Sequence, residues 1–161
     1  MKFLALAALV LPALAELPVP EGLVLGEVET PDFEAQIVGG TAATAGEFPY
    51  IVSLSRSGSH FCGGSLLNAY TVVTAGHCST GISPSTVRVR AGSLNWASGG
   101  TQVGVSQIVV HPSFSSSTLN NDVALWHLSS PITAGGNIGY VTLPASGSDP
   151  AAGAVTTVAG W

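Results

Sequence analysis

Short β-type runs alternate with turn clusters along most of this chain, and this alternation constrains its fold more than any other feature. The runs are Tyr50–Ser55, Phe61–Leu67, Thr71–Thr74, Thr86–Ala91, Gln102–His111, Ala124–Leu128, Tyr140–Leu143 and Ala154–Ala159. Glycine- and serine-rich pairs such as Ser57-Gly58 and Gly99-Gly100 separate them. Frequent short strands with this punctuation predict an all-β fold, an antiparallel sandwich or barrel.

One of these runs shows the period of a half-buried strand. Val87, Val89 and Ala91 alternate with Arg88 and Arg90. In a strand, alternate side chains point to opposite faces, so the apolar residues would share one face and the arginines the other.

The N-terminal region has a different character. Residues 1–15, MKFLALAALVLPALA, combine one lysine, a short apolar run and an Ala-x-Ala ending, the pattern of a secretory signal peptide cut between Ala15 and Glu16. The run is too short for a membrane-spanning helix, which needs about 20 apolar residues. Residues 16–36 are acidic and contain three prolines, so they predict a pro-segment rather than a domain. We therefore expect a secreted, extracellular protein.

Charge beyond the pro-segment is sparse and balanced. From residue 37 onward the chain has three acids and three arginines, so its formal charge is zero and the net charge of −5 belongs to the N-terminal region. The acids are Glu47, Asp122 and Asp149, and the arginines are Arg56, Arg88 and Arg90. Without a basic patch or an apolar span, we expect neither a nucleic-acid partner nor a membrane partner.

Cys62 and Cys78 are the only cysteines. In a secreted protein a disulfide between them is the favoured interpretation, and closing a loop of this size is worth about 3 kcal/mol in the chain-entropy model. The alternative is a metal site built from His60, Cys62, His77 and Cys78. The adjacent pair His77-Cys78 does not match the usual spacer of structural zinc sites, so we expect no metal and no cofactor.

His77 and Asp122 are the residues that could carry chemistry. His77 follows the run Thr71–Thr74, and a catalytic histidine needs a carboxylate to orient its ring. Asp122 stands just before the apolar run Ala124–Leu128. It could be a turn or cap residue, or a carboxylate paired with a histidine because unpaired burial is costly. The residues alone leave both interpretations open.

Four motifs, in a fixed order, resemble the trypsin-type (chymotrypsin-fold) serine proteases. They are IVGGT at 37–41, FCGGSLLN at 61–68, TAGHC at 74–78 and NNDVAL at 120–125. The resemblance covers residues 37–161. The stretch RAGSLNWASGG at 90–100 and the scarcity of cysteines look closest to the secreted trypsins of fungi. One departure is Gly76, where the family most often has alanine; we expect a slightly looser backbone there.

The resemblance implies a fold and a set of roles. The fold is the antiparallel six-stranded Greek-key barrel that forms the first half of the two-barrel fold, plus Ala154–Ala159 as the first strand of an incomplete second barrel. Residues 37–161 would be a truncated protease domain. His77 would be the general base, Asp122 its orienting carboxylate, and Cys62–Cys78 the bridge around the histidine loop.

Activation and partners follow from the same resemblance. Cleavage between Gln36 and Ile37 would make Ile37 the new N-terminus. Substrates would be proteins or peptides, and the protein would be a monomer once a second barrel completes it.

The nucleophile of such an enzyme lies in a Gly-Asp-Ser-Gly-Gly stretch, which these 161 residues do not contain. We therefore expect the N-terminal part of a trypsin-like serine endopeptidase, inactive as it stands because His77 has no serine to deprotonate. The alternative is a secreted, non-catalytic homologue that acts as a binding protein.

Overall fold

The computed structural model describes residues 39–161, so the predicted signal peptide, the pro-segment and the Gln36–Ile37 bond lie outside the described residues. Six strands form in this part of the chain: β1 (Ile51–Arg56), β2 (Ser59–Asn68), β3 (Thr71–Thr74), β4 (Val87–Ala91), β5 (Thr101–Val110) and β6 (Ala124–Leu128). A short 3₁₀ turn at Pro84–Thr86 leads into β4. Within residues 39–161, no helix has the length and apolar character needed to cross a membrane.

The six strands close into one antiparallel barrel, as predicted. Their order around the barrel is β1-β2-β3-β6-β5-β4, and each neighbouring pair is antiparallel. The neighbours β4-β1-β2-β3 form a Greek key, in which the fourth strand returns to lie beside the first. The β5–β6 hairpin fills the remaining gap between β4 and β3. Closure leaves these strands without a free edge.

The barrel interior is filled by apolar side chains from all six strands. The alternation predicted for β4 is confirmed, since Val87, Val89 and Ala91 are buried while Arg88 is exposed. Among residues 39–161, Trp126 of β6 has the largest fully buried side chain. The core consists of Val52, Leu54, Leu66, Val72, Val87, Val89, Ala91, Val105, Trp126, Leu128 and Ile132.

The β1–β2 hairpin shows how the turn residues set the strand register. Its loop is the two-residue pair Ser57-Gly58, with φ values of 52° and 85°. Two positive φ values in succession are the mark of a type I′ turn, whose twist matches that of the flanking strands. The turn brings Arg56 opposite Ser59 and so sets the pairing at this end of the hairpin, up to the register shift between Leu54 and Ser55.

Two of the predicted runs, Tyr140–Leu143 and Ala154–Ala159, are not strands. A strand is held by backbone hydrogen bonds to a neighbour, and within residues 39–161 neither run is part of a β-ladder. Val141 makes one backbone contact with the barrel, donating to Leu66 O at 2.8 Å. Val155 is 98% exposed and Val158 is 76% exposed. The expected first strand of a second barrel is therefore absent from the described structure.

The pairing of β3 with β6 positions the histidine and the aspartate. Thr74, the last residue of β3, lies opposite Ala124, the first residue of β6. Because the strands are antiparallel, the segment leaving β3 and the segment entering β6 meet at the same end of the barrel. His77 is three residues after Thr74, and Asp122 is two residues before Ala124.

A buried hydrogen bond ties the histidine loop to the core. The indole Nε1–H of Trp126 donates to Ser79 Oγ at 2.9 Å, and Ser79 Oγ donates to Ala75 O at 2.8 Å. Both side chains are almost fully buried. Ser79 therefore satisfies the polar edge of Trp126 and joins residues 75–79 to β6.

We expect Ser79→Ala to lower the free energy of unfolding by about 1–3 kcal/mol, because it leaves the Trp126 indole N–H buried without an acceptor. The measurement is denaturant unfolding of the purified protein, monitored by tryptophan fluorescence and circular dichroism.

Ser116→Ala is the matched control. Ser116 is exposed in the loop before β6, so its replacement should change stability by less than about 0.5 kcal/mol. Equal effects of the two substitutions would show that the Ser79–Trp126 bond contributes little.

Candidate active site

The loop that follows β3 is a tight turn built on the carbonyl of Gly76. The backbone N–H groups of Ser79 and Thr80 both donate to Gly76 O, at 2.9 and 3.0 Å. The Thr80 hydroxyl donates to the same oxygen at 3.0 Å. Two residues before Gly76, the side chain of Thr74 donates a hydrogen bond from Oγ1 to Gly63 O of β2 at 2.7 Å. The turn carrying His77 is thus fixed by its own backbone and by the neighbouring strand.

The predicted disulfide between Cys62 and Cys78 is present, with the two Cα atoms 6.3 Å apart. Cys62 lies on β2 and Cys78 lies directly after His77. Because the bridge attaches the neighbour of His77 to β2, it restricts how far the histidine backbone can move from the barrel end.

His77 and Asp122 form a two-point contact. The ring nitrogen Nδ1 of His77 lies 2.7 Å from Asp122 Oδ2, and the backbone N–H of His77 donates to Asp122 Oδ1 at 2.7 Å. The His77 side chain is 56% exposed and that of Asp122 is 23% exposed. The carboxylate thus lies behind the imidazole, which faces solvent.

These hydrogen bonds also favour the ionised form of the Asp122 carboxyl. The bond from the His77 ring, followed by the bond from the His77 backbone N–H, holds the pKa of the Asp122 carboxyl below its ordinary value. Of the two interpretations that the sequence left open, the structure supports the histidine partner, since both carboxylate oxygens contact His77.

The contact with Asp122 also determines which ring nitrogen of His77 keeps a free lone pair. An ionised carboxylate only accepts hydrogen bonds, so Nδ1 carries the proton of this bond, and in the neutral ring Nε2 carries the lone pair. Nε2 lies 3.3 Å from Cys78 Sγ. A disulfide sulfur has no proton to donate, so this is a packing contact. The basic nitrogen therefore lies beside the disulfide on an exposed ring.

Gly76 matters here for space rather than for backbone freedom. A Cβ at position 76 would lie 3.0 Å from Cγ of Phe114 and 3.2 Å from Oδ1 of Asp122, closer than ordinary van der Waals contact. The Phe114 ring packs against the turn beside the carboxylate. The main consequence of glycine at position 76 is therefore room for the Phe114 ring, rather than the looser backbone that we expected. No motif in the sequence predicted that Phe114 is a neighbour of the site.

His60, a member of the alternative metal site, belongs to a different cluster. Its Nδ1 is 2.8 Å from Ser53 Oγ, and its ring lies near the indoles of Trp96 and Trp161. Burial lowers the pKa of His60. In residues 39–161, the ligand atoms that do come together belong to Cys62, His77 and Cys78.

Comparison with known proteins identifies the same family as the motifs do. The Trypsin family model matches residues 37–161. Trypsin beta of Drosophila erecta and trypsin alpha-4 of Lucilia cuprina are each 42% identical to the chain over all 161 residues. Trypsin alpha of Drosophila melanogaster is 43% identical over 143 residues, which is 89% of the chain and 53% of that relative.

The chain spans 60% of the length of the first two relatives. These relatives are fly proteins, so they do not support the closer likeness to fungal trypsins suggested by residues 90–100. The family match, which covers the whole barrel and both residues of the His77–Asp122 pair, shows that the chain belongs to the trypsin family.

Proposed function

We propose that this protein is a secreted trypsin-like serine endopeptidase that hydrolyses peptide bonds in proteins, with His77 as its general base and Asp122 as the carboxylate that orients it. The observation that carries the proposal is the two-point contact between His77 and Asp122. The signal-peptide pattern of residues 1–15 supports secretion.

The chemistry follows from the position of the protons. The lone pair of His77 Nε2 accepts the proton of a serine hydroxyl as that oxygen attacks the substrate carbonyl, and Nε2 later returns the proton to the leaving amine. During the intermediate the ring is an imidazolium, and the negative charge of Asp122 stabilises it. Because Asp122 Oδ1 also accepts a hydrogen bond from the His77 backbone N–H, the carboxylate fixes both the ring and the backbone of His77.

The nucleophile is the part that these 161 residues do not supply. We propose that it lies on a Gly-Asp-Ser-Gly-Gly stretch encoded after Trp161, since the relatives are longer than this chain. Sequencing the transcript past that codon is the first check. A continued frame with this motif supports the proposal, whereas a stop codon there would favour the non-catalytic binding protein.

In the complete protein, Asp122→Asn should lower kcat by about 10⁴-fold, the loss that the corresponding change causes in trypsin itself, because the ring then takes the wrong tautomer. Steady-state hydrolysis of a peptide substrate measures it.

Asp149→Asn is the matched control, since Asp149 is exposed in a loop away from the strands and its loss should leave kcat unchanged. If Asp122→Asn keeps near wild-type kcat, the assigned role of Asp122 is wrong.

The proposed role requires Asp122 to stay ionised, and this has a consequence for acid stability. The folded-state pKa of Asp122 is lowered, so its charge stabilises the fold above the unfolded-state pKa of about 3.9. That contribution is lost as the pH falls through the lower folded-state pKa. We expect the difference in melting temperature between the wild type and Asp122→Asn to shrink as the pH falls from about 5 to below 3. A difference that grows on acidification would contradict the lowered pKa.

Activation would free Ile37, and the preceding residue is glutamine. Trypsin cuts after lysine or arginine, so we expect added trypsin to leave the Gln36–Ile37 bond intact and a protease of another specificity to cut it. N-terminal sequencing of the secreted protein should begin at Ile37.

Gln36→Arg provides the comparison, because trypsin should then release the same Ile37 terminus. If trypsin releases Ile37 from the wild-type chain as well, the proposed difference in activation is wrong.

A further inference from the structure

The lysines and arginines of this chain have an unusual distribution. Lys2, in the predicted signal peptide, is the only lysine. The three arginines all lie in strands, since Arg56 ends β1 and Arg88 and Arg90 belong to β4. Within residues 39–161, the segments between and after the strands therefore contain neither lysine nor arginine. Exposed loops are the preferred sites of proteolytic cleavage, so this distribution bears on which proteases can cut the folded chain.

The backbone of each arginine has a partner strand on both sides. Arg56 lies on β1 between β2 and β4, and Arg88 and Arg90 lie on β4 between β1 and β5. The paired positions are Arg56 with Ser59 and Val87, Arg88 with Ser55 and Gly104, and Arg90 with Ser53 and Gln102. Because the barrel is closed, neither β1 nor β4 is an edge strand.

This pairing competes with what a protease needs from its substrate. An extended peptide binds another protein through the backbone N–H and C=O groups that it leaves free, as an added strand does at a sheet edge. In β1 and β4 these groups already face neighbouring strands on both sides. Cleavage after an arginine would therefore require the strand to leave two ladders first, and its rate would follow the small population of that opened state.

The side chain of Arg90 is also engaged within its own chain. Its guanidinium donates from Nε to Trp96 O at 2.9 Å and from Nη2 to Ala97 O at 3.2 Å, and Nη1 donates to Gly99 O. A protease that recognises arginine takes this side chain into its specificity pocket. For Arg90, three hydrogen bonds to the loop after β4 would have to break before the side chain could enter such a pocket.

Arg56 is the most demanding case, because its exposed side chain lies at the end of a hairpin. The turn that follows has only two residues, Ser57 and Gly58. Ser59, the next residue, is already paired with Arg56. So short a turn offers no extended segment on either side of the Arg56–Ser57 bond.

We propose that the folded barrel resists every protease that cuts after lysine or arginine, including the trypsin-like activity proposed for this protein, and that only a protease of another specificity can cut it. Resistance to self-cleavage rests on the proposed function, whereas resistance to added trypsin does not. The enzyme could then hydrolyse other proteins without destroying the barrel that carries His77 and Asp122.

Large apolar residues provide the contrast. Leu119 is 56% exposed and Leu94 is 53% exposed, and both lie in loops outside the strands. Chymotrypsin has a hydrophobic specificity pocket and the same catalytic triad as trypsin. The two proteases therefore differ on this chain mainly in where their target residues lie.

The test is limited proteolysis of the purified full chain, with trypsin and chymotrypsin in parallel and the products identified by mass spectrometry. Circular dichroism confirms that the sample is folded. We expect trypsin to leave the bonds after Arg56, Arg88 and Arg90 intact while chymotrypsin cuts after Leu119. In urea that unfolds the chain, trypsin should cut after all three arginines at least about 100-fold faster.

A single substitution should create the missing target. Ser116 is exposed in the loop before β6, so trypsin should cut Ser116→Arg after position 116 at least about 100-fold faster than it cuts after Arg56, because no ladder has to open first. Ser116→Gln is the matched control, with a long polar side chain that trypsin does not recognise, and it should stay intact.

Two results would overturn the proposal. One is cleavage of the folded wild type after any of the three arginines at a rate within about 10-fold of that at position 116. The other is a folded Ser116→Arg chain that trypsin does not cut, because pairing in the barrel would then not be what decides cleavage.

Self-cleavage is tested separately, on the complete active protein. Ser116→Arg should cut itself after position 116 while the wild type keeps residues 39–161 intact. If added trypsin cuts Ser116→Arg but the variant does not cut itself, the proposed trypsin-like activity is wrong, and the resistance of the barrel to trypsin still stands.

Discussion

The antiparallel pairing of β3 with β6 is the constraint on which the site depends. His77 and Asp122 are 45 residues apart in sequence, and no local structure could bring them together. The ladder does so because Thr74 and Ala124 face each other where β3 ends and β6 begins. A shift of one residue in this register would turn every side chain of one strand to its other face. It would bury the wrong side chains and displace Asp122 from His77.

Two further contacts, which have no part in the proposed chemistry, hold the histidine loop against the barrel. The disulfide attaches the histidine loop to β2, and Ser79 attaches it to Trp126 inside the barrel. Among the described residues, every buried side-chain nitrogen and oxygen has a hydrogen-bond partner. Buried polar networks of this kind specify one arrangement, because each hydrogen bond that breaks leaves a polar group without a partner in the protein interior. We infer that the loop is positioned before any substrate arrives.

The sequence predicted the barrel well because the signals were local. Alternation in residues 86–91 and the Ser57-Gly58 turn follow from strand period and turn chemistry, and both are confirmed. Ala154–Ala159 was predicted to be a strand but is not one. A strand needs a partner strand, which can be distant in sequence, and β-propensity alone does not show whether that partner is present. The proximity of His77 and Asp122 came from the family resemblance rather than from spacing. The packing of Phe114 against Gly76 could not be predicted, since no short-range pattern encodes a contact between two loops.

The most direct test of the account is the protonation of the His77 ring, observed by NMR in protein labelled with ¹⁵N at histidine. The account predicts that in the neutral ring the proton resides on Nδ1 and exchanges slowly with water because Asp122 holds it. Nε2 should then be unprotonated. Asp122→Asn should abolish this pattern. A neutral ring protonated at Nε2, or one that exchanges freely between both tautomers in the wild type, would contradict the role assigned to the pair.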